Sequence, residues 1–173
     1  MEEYKGVKFQ TIDIERKVHD RIKLVRLDRT IAEFIKTNLN EGNMSIREKS
    51  GFLIKKAGSK MTQLNEKDVV YVKKIKENKV FSIGGIPSSE SIMHWEIYQK
   101  RKDIKIILHF HDNSLLGNDG IGPFEYGTEE LAEAVARESK EKDIIKIKEH
   151  GLVIITDNEK DLIRKLKGLY GRT

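Results

Sequence analysis

Hydrophobic positions along the chain follow two periods, one typical of helices and one typical of strands. In the first segment, Ile14, Val18, Ile22, Val25 and Ile31 lie close to helical spacing. Four segments predict helices: residues 14–35, 88–103, 128–140 and 158–169. Six apolar runs predict strands: residues 51–56, 69–74, 79–83, 104–110, 143–148 and 152–156.

Turn-forming residues separate these segments. Asn and Gly within residues 39–48 end the first predicted helix, and a Gly-Gly-x-Pro turn follows residue 83. Thr11 or Asp13 is placed to cap the first helix, and Ser88 or Ser89 to cap the second. The pattern predicts one mixed α/β domain over residues 1–173, with residues 1–30 as an N-terminal extension and first helix.

Composition narrows the classes of protein to consider. The chain has no cysteine, which excludes disulfides, thiolate metal sites and cysteine nucleophiles, and is typical of a reducing cytoplasm. No run approaches the roughly 18 apolar residues of a membrane span, and the N-terminus lacks a basic stretch followed by an apolar one. We therefore expect a cytoplasmic protein without a membrane partner.

Charge adds a second constraint. The 33 basic residues are interleaved with 28 acidic ones, so the net charge of +5 forms no evident patch and we expect no nucleic-acid partner. A charged fraction of 35% favours a heat-adapted protein with surface ion pairs. The positive balance also suits a small anionic substrate.

Histidines mark a candidate metal site. His109 and His111 end a predicted strand, so their side chains share one face while Phe110 points to the other. His150, between two strand-like runs, supplies a third imidazole. A lone histidine is more often packed or exposed, but three at strand ends in a chain with five favour metal binding. The other two fall on predicted helices and are interpreted as structural: His19 and His94.

The stretch GIPSSES, residues 85–91, is a candidate anion site. It combines a Gly-Pro turn, hydroxyl groups and the carboxyl of Glu90 at the start of a predicted helix, where free amides and the helix dipole favour negative charge. An ordinary helix cap with an acidic first turn is the commoner explanation of such a pattern. The glycine-bearing turns EGNMS and AGSK are similar and equally weak when taken alone.

These motifs together resemble a known family. EGNMSIR, GFLIKKAGSKMTQL with DVVYV, GIPSSESIMHWEIYQKRKDIKIILHFH, YGTEELAEAV and EHGLVIIT follow the order of the class II aldolase/adducin family, from about residue 31 to residue 169. The resemblance implies a single-domain α/β fold with a central, mainly antiparallel sheet flanked by helices. It also implies a homotetramer.

The resemblance further implies roles for individual residues. Three imidazoles would hold one divalent metal per chain, usually zinc: those of His109, His111 and His150. Glu90 would be the catalytic acid/base, and could also contact the metal in the empty site. A substrate phosphate would be bound at five positions: Gly42, Asn43, Gly58, Ser88 and Ser89.

The chain departs from the family pattern at several places, and its first turn, LNEGN, is less rich in glycine than the form common in relatives. Ala57 stands where relatives carry Ser or Thr, which removes one hydroxyl from the implied phosphate site. Only 14 residues separate His111 from Tyr126, so the stretch that holds a catalytic tyrosine in aldolases is missing. The second proton donor is therefore not assigned.

The expected function is that of a zinc-dependent aldolase, a lyase that cleaves or forms a C–C bond in a short-chain ketose 1-phosphate, such as fuculose 1-phosphate, through an enediolate. A sugar-phosphate epimerase or dehydratase, acting on ribulose 5-phosphate or methylthioribulose 1-phosphate, would use the same metal and the same Glu90. An adducin-like module without catalysis is a third alternative. Retention of the three histidines and Glu90 argues against it.

Overall fold

An eight-stranded sheet forms the centre of the protein. The structure, a computed structural model, describes residues 5–14, 20–35, 41–117 and 119–171. The strands are β1 Gln10–Asp13, β2 Asn43–Glu48, β3 Gly51–Lys55, β4 Val69–Lys76, β5 Lys79–Ile83, β6 Ile106–Phe110, β7 Ile144–Ile147 and β8 Gly151–Thr156. The helices are α1 Ile22–Ile31, α2 Ser91–Lys100, α3 Glu129–Glu138 and α4 Glu159–Leu169.

The strand order is β1-β5-β4-β3-β2-β6-β8-β7. Only the β1–β5 pair is parallel, and the other neighbours within the sheet are antiparallel. The expected α/β fold with a mainly antiparallel central sheet is therefore confirmed. No helix in the described ranges is long and apolar enough to cross a membrane.

Helices cover both faces of the sheet, and the central strands are therefore apolar on both sides. In β6, Ile107 packs in the core beneath α2 and α3, whereas Leu108 and Phe110 pack in the core beneath α1 and α4. Strands buried on both faces read as continuous apolar runs, which is why β6 and β8 could be predicted from the sequence. The site described below lies on the α2 side, because His109 shares its face with Ile107.

The predicted first helix is only partly correct. The structure begins α1 at Ile22, and Thr11 and Asp13 do not cap it, because both lie in the edge strand β1. Ile12 and Ile14 fit a strand as well as a helix, and the extended pairing of β1 with β5 decides between the two. Val18 and His19 lie outside the described residues.

The turn predicted across residues 39–48 contains a strand instead. β2 pairs with β3 on one side and with β6 on the other, so it lies in the middle of the sheet. Polar residues alternate with apolar Met44 and Ile46, and this polar face concealed the strand. The predicted cap of α2 was also wrong, since Glu90 occupies the N-cap position and its side chain makes no cap hydrogen bond.

An ion-pair network joins residues of four neighbouring elements: α2, α3, α4 and β7. Asp143, just before β7, receives Arg101 from the end of α2 and Lys165 from α4, each at 3.0 Å. Arg101 also donates to the carbonyl of Ser139 after α3, at 2.6 Å. Shared partners lower the entropic cost of each bond, so the network should stabilise more than its exposed pairs would separately.

We expect Asp143→Ala to lower the free energy of unfolding by about 1 kcal/mol, because two cations lose one carboxylate between them. The matched control is Glu138→Ala, which removes one partner of the isolated, exposed pair with Lys142. Urea unfolding at low and high salt measures both variants. Equal midpoints for the two would contradict a cooperative network.

Candidate metal centre

Strand β6 delivers two histidines to one point. His109 is wholly buried in the strand, and His111 follows just beyond its end on the same face. The ring centroids of His109, His111 and His150 lie 4.9, 5.0 and 4.9 Å apart. One ligand nitrogen from each lies within 4.8 Å of the other two. The three predicted imidazoles therefore meet at one point.

Gly151 allows the third histidine to approach. A Cβ atom at this position would lie 2.9 Å from Cδ2 of His111, 3.0 Å from Cε1 of His109 and 2.6 Å from the carbonyl oxygen of Phe110. Only a residue without a side chain lets β8 begin so close to the end of β6. The His-Gly pair in the sequence thus has a packing reason as well as a chemical one.

Glu90 lies among the imidazoles. Its Oε1 is 2.9 Å from Nε2 of His150, and its Oε2 is 3.0 Å from Nε2 of His109. The side-chain amide of Asn43 donates to Oε2 at 3.1 Å, from the position on β2 directly opposite His109. The carboxylate is buried and has polar partners on several sides.

The charges of these groups follow from burial and from one another. Burial lowers the pKa of His109 to about 3 and that of His111 to about 4, so both rings are neutral near pH 7. Burial alone would raise the pKa of Glu90, but the neighbouring imidazoles, chiefly His109 and His150, outweigh it and hold the pKa below its usual range. Glu90 is therefore an ionised carboxylate, and the rings of His109 and His111 beside it are neutral.

One contact tests whether this set suits a metal. Nδ1 of His109 lies 3.0 Å from the carbonyl oxygen of Leu152, which can only accept, so Nδ1 carries the proton. The neutral ring then presents the lone pair of Nε2 to Oε2 of Glu90 at 3.0 Å. Nε2 of His111 lies 3.0 Å from the same Nε2 of His109, so imidazole nitrogens and a carboxylate oxygen converge on one point. Three imidazoles beside a carboxylate thus fit a divalent cation.

The two predicted phosphate turns lie side by side. The amide of Ser88 donates to the carbonyl of Lys55 at 2.9 Å, and the amide of Ala57 donates to the carbonyl of Ile86 at 2.9 Å. Gly58 has φ +78° and faces open space, a conformation that favours glycine. The structure thus brings Gly58 and the Ser88–Ser89 pair into one region.

Gly42 and Asn43 lie against the strand that carries His109. Gly42 has φ +73°, and a Cβ there would lie 2.8 Å from the carbonyl oxygen of His109. Asn43 donates its amide to Glu90, while its Oδ1 is buried without a hydrogen-bond partner among the described residues. Their predicted role at a phosphate stays a prediction, and their observed contacts support the metal centre.

Lys55 is a further buried charged residue near the site, and no sequence motif indicated it. Its side chain is 2% exposed and its ammonium donates to the carbonyl of Ser59 at 2.6 Å. Burial lowers its pKa to about 8, although the charges of Glu90 and Asp28 oppose this. The available signal was a lysine at the end of a buried strand, immediately before the turn that holds Gly58.

Known proteins of one family are similar to this chain. The model of the family described as Class II Aldolase and Adducin N-terminal domain matches residues 22–166. A Methanocaldococcus jannaschii protein named L-fuculose phosphate aldolase is 30% identical, over 90% of this chain and 86% of its own. An Escherichia coli protein named 5-methylthioribulose-1-phosphate/5-deoxyribulose-1-phosphate aldolase is 26% identical, over 78% of this chain and 74% of its own.

A solved structure shows the same fold. The structure titled l-fuculose-1-phosphate aldolase from Thermus thermophilus superimposes with a TM-score of 0.67 at 23% identity, covering 87% of this chain and 88% of that one.

We expect Gly151→Ala to weaken metal binding at least about tenfold, because the added methyl group displaces the imidazoles of His109 and His111. It should also destabilise the fold by about 1–3 kcal/mol. Gly168→Ala is the control, since a Cβ at that helical position contacts nothing within 4 Å. Titration with Zn²⁺ by calorimetry measures the effect. Equal affinities in the two variants would show that Gly151 does not set the site.

Proposed function

The chain belongs to the class II aldolase and adducin family, and from that premise we propose that it is a zinc-dependent aldolase acting on a short-chain ketose 1-phosphate such as fuculose 1-phosphate. The observation that carries the proposal is the position of the Glu90 carboxyl group, buried within 3.0 Å of two of the three converging imidazoles. A non-catalytic module has no need of such a costly arrangement.

The metal would be held by His109, His111 and His150, with Glu90 beside it. When bound, a divalent ion supplies Lewis acidity that polarises a substrate carbonyl and stabilises an enediolate. Glu90 then acts as the base. Its carboxylate takes the proton from the substrate carbon next to the carbonyl in the bond-forming direction, and returns it to that carbon after cleavage.

The remaining residues would bind and orient the substrate. Amides and hydroxyls of the two adjacent turns, at Gly58, Ser88 and Ser89, would bind the phosphate, as would Gly42 and Asn43 at the start of β2. Ala57 lacks the hydroxyl that relatives have in this turn. The ammonium of Lys55, which lies just before the turn, would supply a positive charge for the phosphate. Because Ser88 lies two residues before Glu90, a phosphate bound there would place the substrate close to the base.

The named relatives support the substrate class. Those compared above are named for fuculose phosphate or for methylthioribulose and deoxyribulose phosphates, which are all ketose phosphates. Assembly as a homotetramer, heat adaptation and a cytoplasmic location belong to the same proposal, the first resting on the family resemblance and the others on composition.

Glu90→Gln tests the proposed base. We expect purified wild-type protein to contain close to one metal ion per chain and to exchange a carbon-bound proton of dihydroxyacetone phosphate in deuterated water. The variant should keep its metal but exchange at least about a hundredfold more slowly, because an amide does not accept the proton. Elemental analysis and proton NMR on one sample measure both quantities.

His109→Ala is the companion variant, and it should lose the metal as well as the exchange. Exchange at the wild-type rate in metal-loaded Glu90→Gln would remove Glu90 from its role. Metal without exchange in the wild type would favour an epimerase or dehydratase, and a wild type that takes up no zinc would favour the adducin-like module.

Lys55→Met tests the proposed phosphate charge. It should raise KM for the phosphorylated substrate about tenfold or more, with a smaller change in kcat. In the wild type, kcat/KM should fall as pH rises through about 8, because the ammonium loses its charge there. This fall should be absent in the variant.

Lys74→Met is the control, since Lys74 lies toward the other end of β4 from the position that pairs with Lys55, and its ammonium lies over the ring of Phe81. Equal KM values for Lys55→Met and the wild type would contradict a role in phosphate binding. Steady-state kinetics between pH 6 and about 9.5 with metal-loaded protein provide the measurement.

A further inference from the structure

Strand β2 and helix α2 are joined by a regular series of polar contacts. Three side-chain pairs form it: Asn43 with Glu90 at 3.1 Å, Ser45 with His94 at 2.6 Å, and Arg47 with the carbonyl of Tyr98 at 3.0 Å. The strand positions advance by two residues and the helix positions by four. We call these pairs the three rungs.

The spacing of residues along a strand and along a helix explains why all three rungs can form. Two residues of a strand span about 6.6 Å, and four residues of a helix rise about 6.0 Å. Residues two apart on a strand share a face, and residues four apart on a helix share a side. A strand and a helix running side by side can therefore pair at every second and every fourth residue without drifting apart over three rungs.

The hydrogen bonds of the middle rung define its protons. The hydroxyl of Tyr98 donates to the carbonyl of Lys105 at 3.1 Å, so it accepts from Ser45, whose hydroxyl lies 2.9 Å away. Ser45 has then used its only proton and must accept from Nδ1 of His94. This assignment satisfies all three contacts, and it makes His94 the Nδ1–H tautomer.

Burial makes this rung specific. His94 is wholly buried against Phe52, and burial lowers its pKa to about 4, so the ring is neutral. Its Nε2 has no hydrogen-bond partner among the described residues. One ring nitrogen is therefore buried without a partner, and the hydrogen bond to Ser45 is the polar contact that the ring makes through the other.

We propose that His94 and Ser45 are positioning residues that hold the start of α2 in register with β2, and thereby set the carboxylate of Glu90 against Asn43 and the imidazoles. His94 lies one helical turn after Glu90, and its backbone amide donates to the Glu90 carbonyl at 3.2 Å. The middle rung is therefore the rung next to the one that contains the carboxylate. The inference extends the proposed function and rests on it for its kinetic consequence.

The test compares Ser45→Ala with Ser139→Ala. Both serines are wholly buried and both lose one hydroxyl, but Ser139 lies at the end of α3, and among the described residues its hydroxyl bonds only to the carbonyl of Ala136. Ser45→Ala should slow proton exchange on dihydroxyacetone phosphate by about tenfold to a hundredfold, because the base is misplaced. Zinc content and KM should stay within about twofold, as the histidines and the phosphate turns are intact. Ser139→Ala should exchange at the wild-type rate.

A second readout does not depend on activity. The side-chain amide signal of Asn43 in a proton–nitrogen NMR spectrum reports its bond to Glu90, and it should shift in Ser45→Ala and in His94→Phe but not in Ser139→Ala. His94→Asn, which can still donate to Ser45, should restore part of the wild-type position. The nitrogen shifts of His94 should show a protonated Nδ1.

The outcomes separate the two proposals. An Asn43 signal that stays at its wild-type position in Ser45→Ala and His94→Phe overturns the positioning role, whatever the activity of the protein. If the wild type catalyses no exchange but the Asn43 signal still shifts in Ser45→Ala and His94→Phe, the positioning role is supported and the aldolase is rejected. Exchange at the wild-type rate in Ser45→Ala, in a protein whose wild type is active, also overturns the inference.

Discussion

The burial of one carboxylate is the constraint on which the rest of the structure depends. An ionised group removed from water is costly unless charges and hydrogen bonds replace its hydration, and Glu90 has almost no exposure. Its partners come from three separated parts of the chain: Asn43 on β2, His109 on β6 and His150 before β8. The neighbouring strand positions and the start of α2 must therefore be fixed together, and a shift of any of them leaves a buried charge without a partner.

The same constraint explains what could be predicted from the sequence. β6 and β8 are apolar on both faces, so each could be predicted as a strand from its own residues. The histidines at their ends could then be grouped as a candidate metal site from their positions. β2 is different, because its inward face carries Asn43 and Ser45, which are stabilised by side chains of α2. Hydrophobic periodicity within one segment indicates that polar positions are exposed, because the side chains of α2 that bury them belong to another segment. Lys55 was missed for a similar reason, since the carboxylates whose charges act on it, those of Glu90 and Asp28, lie far away in the sequence.

The candidate phosphate region and the candidate metal centre are connected through the backbone. The bond from the amide of Ser88 to the carbonyl of Lys55 ties the two turns together, and residues 88–90 then lead directly to the carboxylate. Lys55 and Glu90 bear opposite charges at the two ends of this short path. The arrangement suits a substrate with an anionic end and a reacting carbon only a few bonds away, which describes a short phosphorylated ketose better than a polymer.

Apolar packing alone would not hold this path in place. The apolar side of α2 could slide along the sheet with little change in buried area, since dispersion and the hydrophobic effect have no direction. Polar groups in an interior do have direction, and they favour one packing over its neighbours even where an apolar replacement would be more stable. In this chain the directional contacts are the three rungs between β2 and α2, and the first of them is the bond from Asn43 to the carboxylate of Glu90. The alternating polar residues that made β2 hard to predict as a strand are therefore the residues that position the carboxylate of Glu90.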